Sequence, residues 1–71
     1  MMPLIFSEIG EEKIITKIGG NQEAKKHLED LGFVVGGSVS IISTIGGNLI
    51  VNVKESRVAL AKELAQKIMV Q

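Results

Sequence analysis

The stretch from Ala24 to Val39 constrains this chain more than any other part of it. Ala24, Leu28 and Leu31 fall at helical spacing on one face, among charged neighbours. Gly32 stands where a left-handed cap residue belongs, and only glycine takes that conformation without a side-chain penalty. Phe33 follows at the position that folds back onto Leu28 in such caps. Gly36 and Gly37 then turn the chain into Val39-Ser40-Ile41-Ile42, which begins a strand. A short helix, a stop, a tight loop and a strand are thus written into one contiguous segment.

The rest of the chain reads outward from that segment. Asn21 is a good N-cap, since its side-chain oxygen can accept an unpaired backbone N–H, and the helix runs from about Gln22 to Leu31. Lys13 to Ile18 alternates as a strand with Ile14, Thr16 and Ile18 on one face, and Gly19-Gly20 ends it. Residues 1–12 form a lead-in with Gly10 as a turn. Val39 to Ile45 is a second strand, and Gly46-Gly47 predicts a type I′ hairpin, which needs positive φ at both central residues. Asn48 to Lys54 returns with Leu49, Val51 and Val53 facing one way. The end of the chain has two readings, of which the second is favoured. By propensity Arg57 to Lys67 is a helix, with Leu60, Ala61, Leu64 and Ile68 on one side. A closing strand at Ile68-Met69-Val70 would instead seal a sheet edge that is otherwise open.

At 71 residues the chain is one domain. A domain of this size buries only about 60% of its unfolded surface, so its core is small. With no cysteine it has neither disulfides nor thiolate metal sites, and Phe6 and Phe33 are the only aromatics. Aliphatic packing must carry the fold, which suits a small β-rich domain better than a helical bundle. Eight basic residues balance eight acidic ones, and Lys25 and Lys26 lie among Glu23, Glu29 and Asp30. Nucleic-acid binding needs a basic face, so it is not expected. No apolar run approaches the ~18 residues of a membrane span. The opening Met1 to Phe6 lacks a basic flank and is cut short by Glu8, so it is not read as a signal peptide and a cytoplasmic protein is expected.

Chemistry is sparse. One histidine, one aspartate and unpaired serines leave no activated nucleophile, and no enzyme is expected. Glu23 and His27, at i and i+4 on the helix, are the one pair placed to share a metal ion, but a stable site needs three or four ligands. The acids Glu8, Glu11 and Glu12 read as a solvated turn. Gly19-Gly20-Asn21 lacks the pattern of a nucleotide loop and reads as a turn and a cap. No cofactor is expected beyond, at most, a weakly held divalent metal. The positive signal is surface. Ile15, Ile42 and Ile50 lie on the nominal outer face of the strands, and the hairpin tip Ile45-Gly46-Gly47-Asn48 stands beside them. Either the helix covers this face or a partner does.

The ordered set of Ile14, Ile18, Gly19-Gly20, Leu28, Leu31-Gly32-Phe33, Gly36, Val39, Gly47, Leu49-Ile50-Val51, Arg57-Val58-Ala59-Leu60, Leu64-Ala65, Ile68 and Val70 resembles the FeoA family of ferrous-iron transport proteins. The likeness runs over about residues 5–70. Val35 stands where the family often has proline, and Glu55-Ser56 where it often has glycine. The resemblance implies a mainly β fold with a short helix: a small SH3-like β-barrel with the helix inserted between the first and second strands. It would make Arg57 to Leu60 extended, Ala61 to Gln66 a helical turn and Ile68 to Val70 a closing strand. Gly32, Phe33 and Gly36 then have structural roles. It also implies a cytosolic accessory to FeoB, the membrane ferrous-iron transporter with a cytosolic G domain, held at the inner membrane only through that partner. The family's usual label of transition-metal binding has no support in these residues. Two other readings stay open: a metal-sensing SH3-like domain related to iron-dependent repressors, and a generic SH3-like interaction module.

Overall fold

The computed structural model describes residues 1–71. Its helix α1 spans Gln22–Leu31, and both ends are closed by the residues the sequence offers. The Asn21 side-chain oxygen accepts from the Ala24 N–H at 2.8 Å. Gly32 has φ 108°, its N–H donates to Glu29, and the Phe33 N–H donates to Leu28. These two bonds satisfy carbonyls that a helix end otherwise leaves unpaired, and the accompanying apolar contact joins the last turn to the residue after the cap. Leu28 and Phe33 are both fully buried.

Six strands make up the sheet: β1 (Met2–Pro3), β2 (Glu12–Ile18), β3 (Ser38–Ile45), β4 (Asn48–Val53), β5 (Ser56–Ala61) and β6 (Ile68–Val70). A 3-10 turn at Leu4–Phe6 follows β1, and a short helix α2 (Lys62–Ala65) joins β5 to β6. All strands form one sheet in the order β1-β6-β2-β3-β4-β5, with every pair of neighbours antiparallel. α2 packs on β4, β5 and the Leu4–Phe6 turn, so it bridges the space between the two ends of the sheet. The core is aliphatic apart from Phe33: Leu4, Ile15, Leu28, Val39, Ile41, Leu49, Val51, Val53, Leu60, Ala65, Ile68 and Val70 complete it, with no buried polar or charged residue.

The C-terminal segment is strand, short helix and strand, as the favoured reading has it, not the long helix that its propensity alone suggests. Leu60 pairs with Leu49 and Val58 with Val51 across β4, and burial of Leu60 against the core outweighs the helix preference of isolated residues. The lead-in also holds more than a turn. Met2 and Pro3 pair with Val70 and Met69, and Leu4 is 0% exposed. Because β1 precedes the strand expected to be first, α1 joins the second and third strands. The Gly46-Gly47 turn has positive φ only at Gly46, 58°, which is the requirement of a type II′ turn and not of type I′. Val34 to Gly37 closes a further turn, with the Gly37 N–H on the Val34 carbonyl and Gly36 at φ 91°. The Gly36 N–H and Gly37 carbonyl then grip both sides of Ile15 at 2.8 and 2.9 Å, tying the loop after α1 to β2.

Candidate functional site

The expected outer face is rebuilt by two irregularities in strand pairing. In β2, Ile15 pairs with Val70 but Lys17 pairs with Met69, so Thr16 is an inserted residue. Its hydroxyl donates to the Met69 carbonyl at 3.2 Å. A bulge breaks the two-residue alternation. Ile15 therefore points into the core at 1% exposure and Ile18 is half-buried, while Ile14 is 39% exposed. The expectation that Ile14, Thr16 and Ile18 share the inner face is corrected on this point, and Ile15 is removed from the candidate docking surface.

The second bulge lies in β3. Ile41 pairs with Val51 and Ser43 with Ile50, leaving Ile42 as the extra residue. From there the alternation is plain. Leu49, Val51 and Val53 are buried, and Asn48, Ile50 and Asn52 point the other way, with Ile50 half-buried. Ile50 lies between Ser43 and Ala59, and Asn48 between Ile45 and Ala61. The structure so brings Ile45 and Ile50 onto one outer face, beside half-buried Ile42 and below the exposed tip Gly46-Gly47-Asn48. Ile45 is 64% exposed. The tip is tethered at one point, where the Lys62 N–H donates to the Gly47 carbonyl at 3.2 Å. α1 seats Leu28 in the core and leaves this face open at Ile45.

Sequence reasoning missed Ala59, exposed directly across from Ile50. It also passed over Phe6 and Ile9, which are 68% and 61% exposed. Ile9 bridges to Ile41, and the Gly10 N–H donates to the Ile41 carbonyl at 2.8 Å, so the lead-in runs beside the β3 bulge. The available signal was the apolar content itself, since Phe6 is one of two aromatics in the chain.

Glu23 and His27 are both exposed on α1 and line a shallow open depression with Asn21 and Ala24. No group of three His, Cys, Asp or Glu side chains is arranged to hold a metal ion. No helix is long and apolar enough to cross a membrane.

Comparison with known proteins follows the same lines. The family model described as the FeoA domain matches residues 2–71. A candidate Fe(2+) transport protein A of Methanocaldococcus jannaschii is 37% identical over 71 residues, 100% of this chain and 87% of that one. Among solved structures, an iron uptake regulatory protein (FeoA) aligns with TM-score 0.90 at 28% identity, over 99% of this chain and 93% of that one. FeoA of Stenotrophomonas maltophilia, solved with zinc and described as an SH3 domain protein, aligns with TM-score 0.86 at 25% identity, over 100% of this chain and 91% of its own.

Proposed function

Because this chain belongs to the FeoA family and shares its SH3-like fold, we propose that it is an accessory protein of ferrous-iron transport that docks onto a cytosolic part of FeoB, the membrane ferrous-iron transporter. The observation that carries the reading is the outer face of the β3–β4 hairpin. Ile45 is 64% exposed there, next to half-buried Ile42 and Ile50, on strands whose inner face is filled. A few aliphatic anchors with a near-neutral rim suit an affinity of about micromolar, gained from apolar burial more than from charge steering. The Stenotrophomonas maltophilia relative is described as a candidate activating factor of bacterial ferrous iron transport. We carry that sense over: docking raises transport.

The docking reading needs no resident metal, since the contact is made by aliphatic side chains and Glu23 and His27 have no third ligand beside them. The test is capture of the transporter's cytosolic region by wild-type and Ile45→Ser protein, each with and without a chelator. Serine at this exposed tip leaves the fold intact, and capture falls at least about ten-fold, the equivalent of 1.4 kcal/mol. Chelation changes nothing in the wild type. A folded Ile45→Ser variant that captures normally removes this surface from the proposal, and capture that vanishes with chelator favours a metal-sensing role.

A further inference from the structure

The sheet has two free edges, and they are guarded differently. One is β1, two residues long and ending in Pro3, which has no N–H to offer. The other is β5, six residues from Ser56 to Ala61 with no proline and no bulge in its pairing with β4. Edge strands of this length usually carry such a guard, because a row of unpaired backbone groups invites another strand.

The free groups of β5 follow from its register. Val53 pairs with Ser56 across the two-residue turn Lys54-Glu55, so this is a hydrogen-bonded pair. Val51–Val58 and Leu49–Leu60 are then hydrogen-bonded too, and Asn52–Arg57, Ile50–Ala59 and Asn48–Ala61 are not. The backbone N–H groups of Arg57 and Ala59 therefore point away from β4. None of the backbone bonds outside regular elements reaches residues 56–61, and Arg57 and Ala59 are both exposed.

The edge is also self-complementary. Its middle carries the small side chain of Ala59, its start the cation Arg57, and just beyond its end stands exposed Glu63 on α2. Antiparallel apposition of two copies with Ala59 facing Ala59 places each Arg57 opposite the other copy's Ala61, two positions along the chain from its Glu63. Like charges directly opposite would be destabilising, and this register avoids them. We propose that β5 pairs with β5 of a second copy about a two-fold axis, joining two sheets into one. The contact uses the sheet's edge, leaves the outer face of the β3–β4 hairpin free, and stands or falls apart from transporter docking.

Amide hydrogen exchange read by NMR on the wild-type chain, from dilute to concentrated solution, tests it without a variant. The Ala59 amide should slow by roughly ten-fold at high concentration, while Val58 and Leu60, already in the ladder, stay as they are. Sedimentation should show dimer over the same range. Ala59→Pro removes the donor on the side where an edge strand tolerates proline, and should yield a folded monomer. Arg57→Glu should weaken the dimer and Arg57→Glu with Glu63→Arg restore it. A chain that stays monomeric with concentration-independent exchange overturns the proposal. So does Ala59 protection that appears only when the transporter's cytosolic region is added, which would assign the edge to a foreign strand.

Discussion

Every pairing in the β3–β4–β5 meander joins neighbours along the chain, across two-residue turns at Gly46-Gly47 and Lys54-Glu55. On the other side of the sheet β6 lies between β1 and β2, so the last strand reaches back to the first two. The meander closes loops of two residues and gains its bonds at little entropic cost. The β1–β6–β2 side must order nearly the whole chain before its contacts form. The meander's tip is exposed and its outer face is available to a partner. The far side is held by packing, since Leu4, Ile15, Ile68 and Val70 are all buried there. One side is specified locally; the other depends on the core for its existence.

Three variants put that contrast under strain. The largest effect is expected from Leu4→Ala, because the residue after β1 is fully buried and anchors the side that has no local support. The loss should be about 2–5 kcal/mol by urea unfolding, comparable to the whole stability that a core of this size supplies. A change of only a few tenths would show that the N-terminal strand is an ornament. Gly32→Ala comes next, at about 1–2 kcal/mol, since alanine is strained at φ 108°. Space is not the problem, because an added Cβ would meet the Lys54 stem at an ordinary 3.6 Å. A normal melting temperature would mean that the cap relaxes freely. The smallest effect is a gain. Lys54 and Glu55 hold φ of 49° and 64° without being glycine. Lys54→Asn with Glu55→Gly should raise stability by about 1 kcal/mol, because that pair suits a turn with two positive φ values. No gain would show that the turn is not where the meander is strained.

The same contrast sets what could be read from the residues. Helix α1, its Asn21 and Gly32 caps and the inward set Leu49, Val51 and Val53 follow from signals within a few positions of one another, and they stand as expected. The face of β2 does not. Whether Ile14 or Ile15 points inward depends on the Thr16 bulge, which exists because Ile15 and Lys17 pair with consecutive residues of a strand from the far end of the chain. Segment 57–67 shows the same limit: its helix propensity is real, and only pairing of Val58 and Leu60 with β4 overrides it. At the candidate site the hairpin residues Ile45 and Ile50 were legible as outward, while the bulge at Ile42 was not. Ala59 was not, since its place opposite Ile50 is a matter of register between strands.

The pairing of Met2 with Val70 puts the two ends of this fold side by side on adjacent strands. A domain with neighbouring ends occupies little more than a point along any polypeptide that contains it. It can be spliced into a surface loop of a host without prying the host apart, as readily as it can be hung from a terminus. For the same reason the order of its strands along the chain is open to cyclic rearrangement, with a short linker across the old ends and a new opening in an exposed turn. The fold is in this sense a ring cut at one place, and the cut can move.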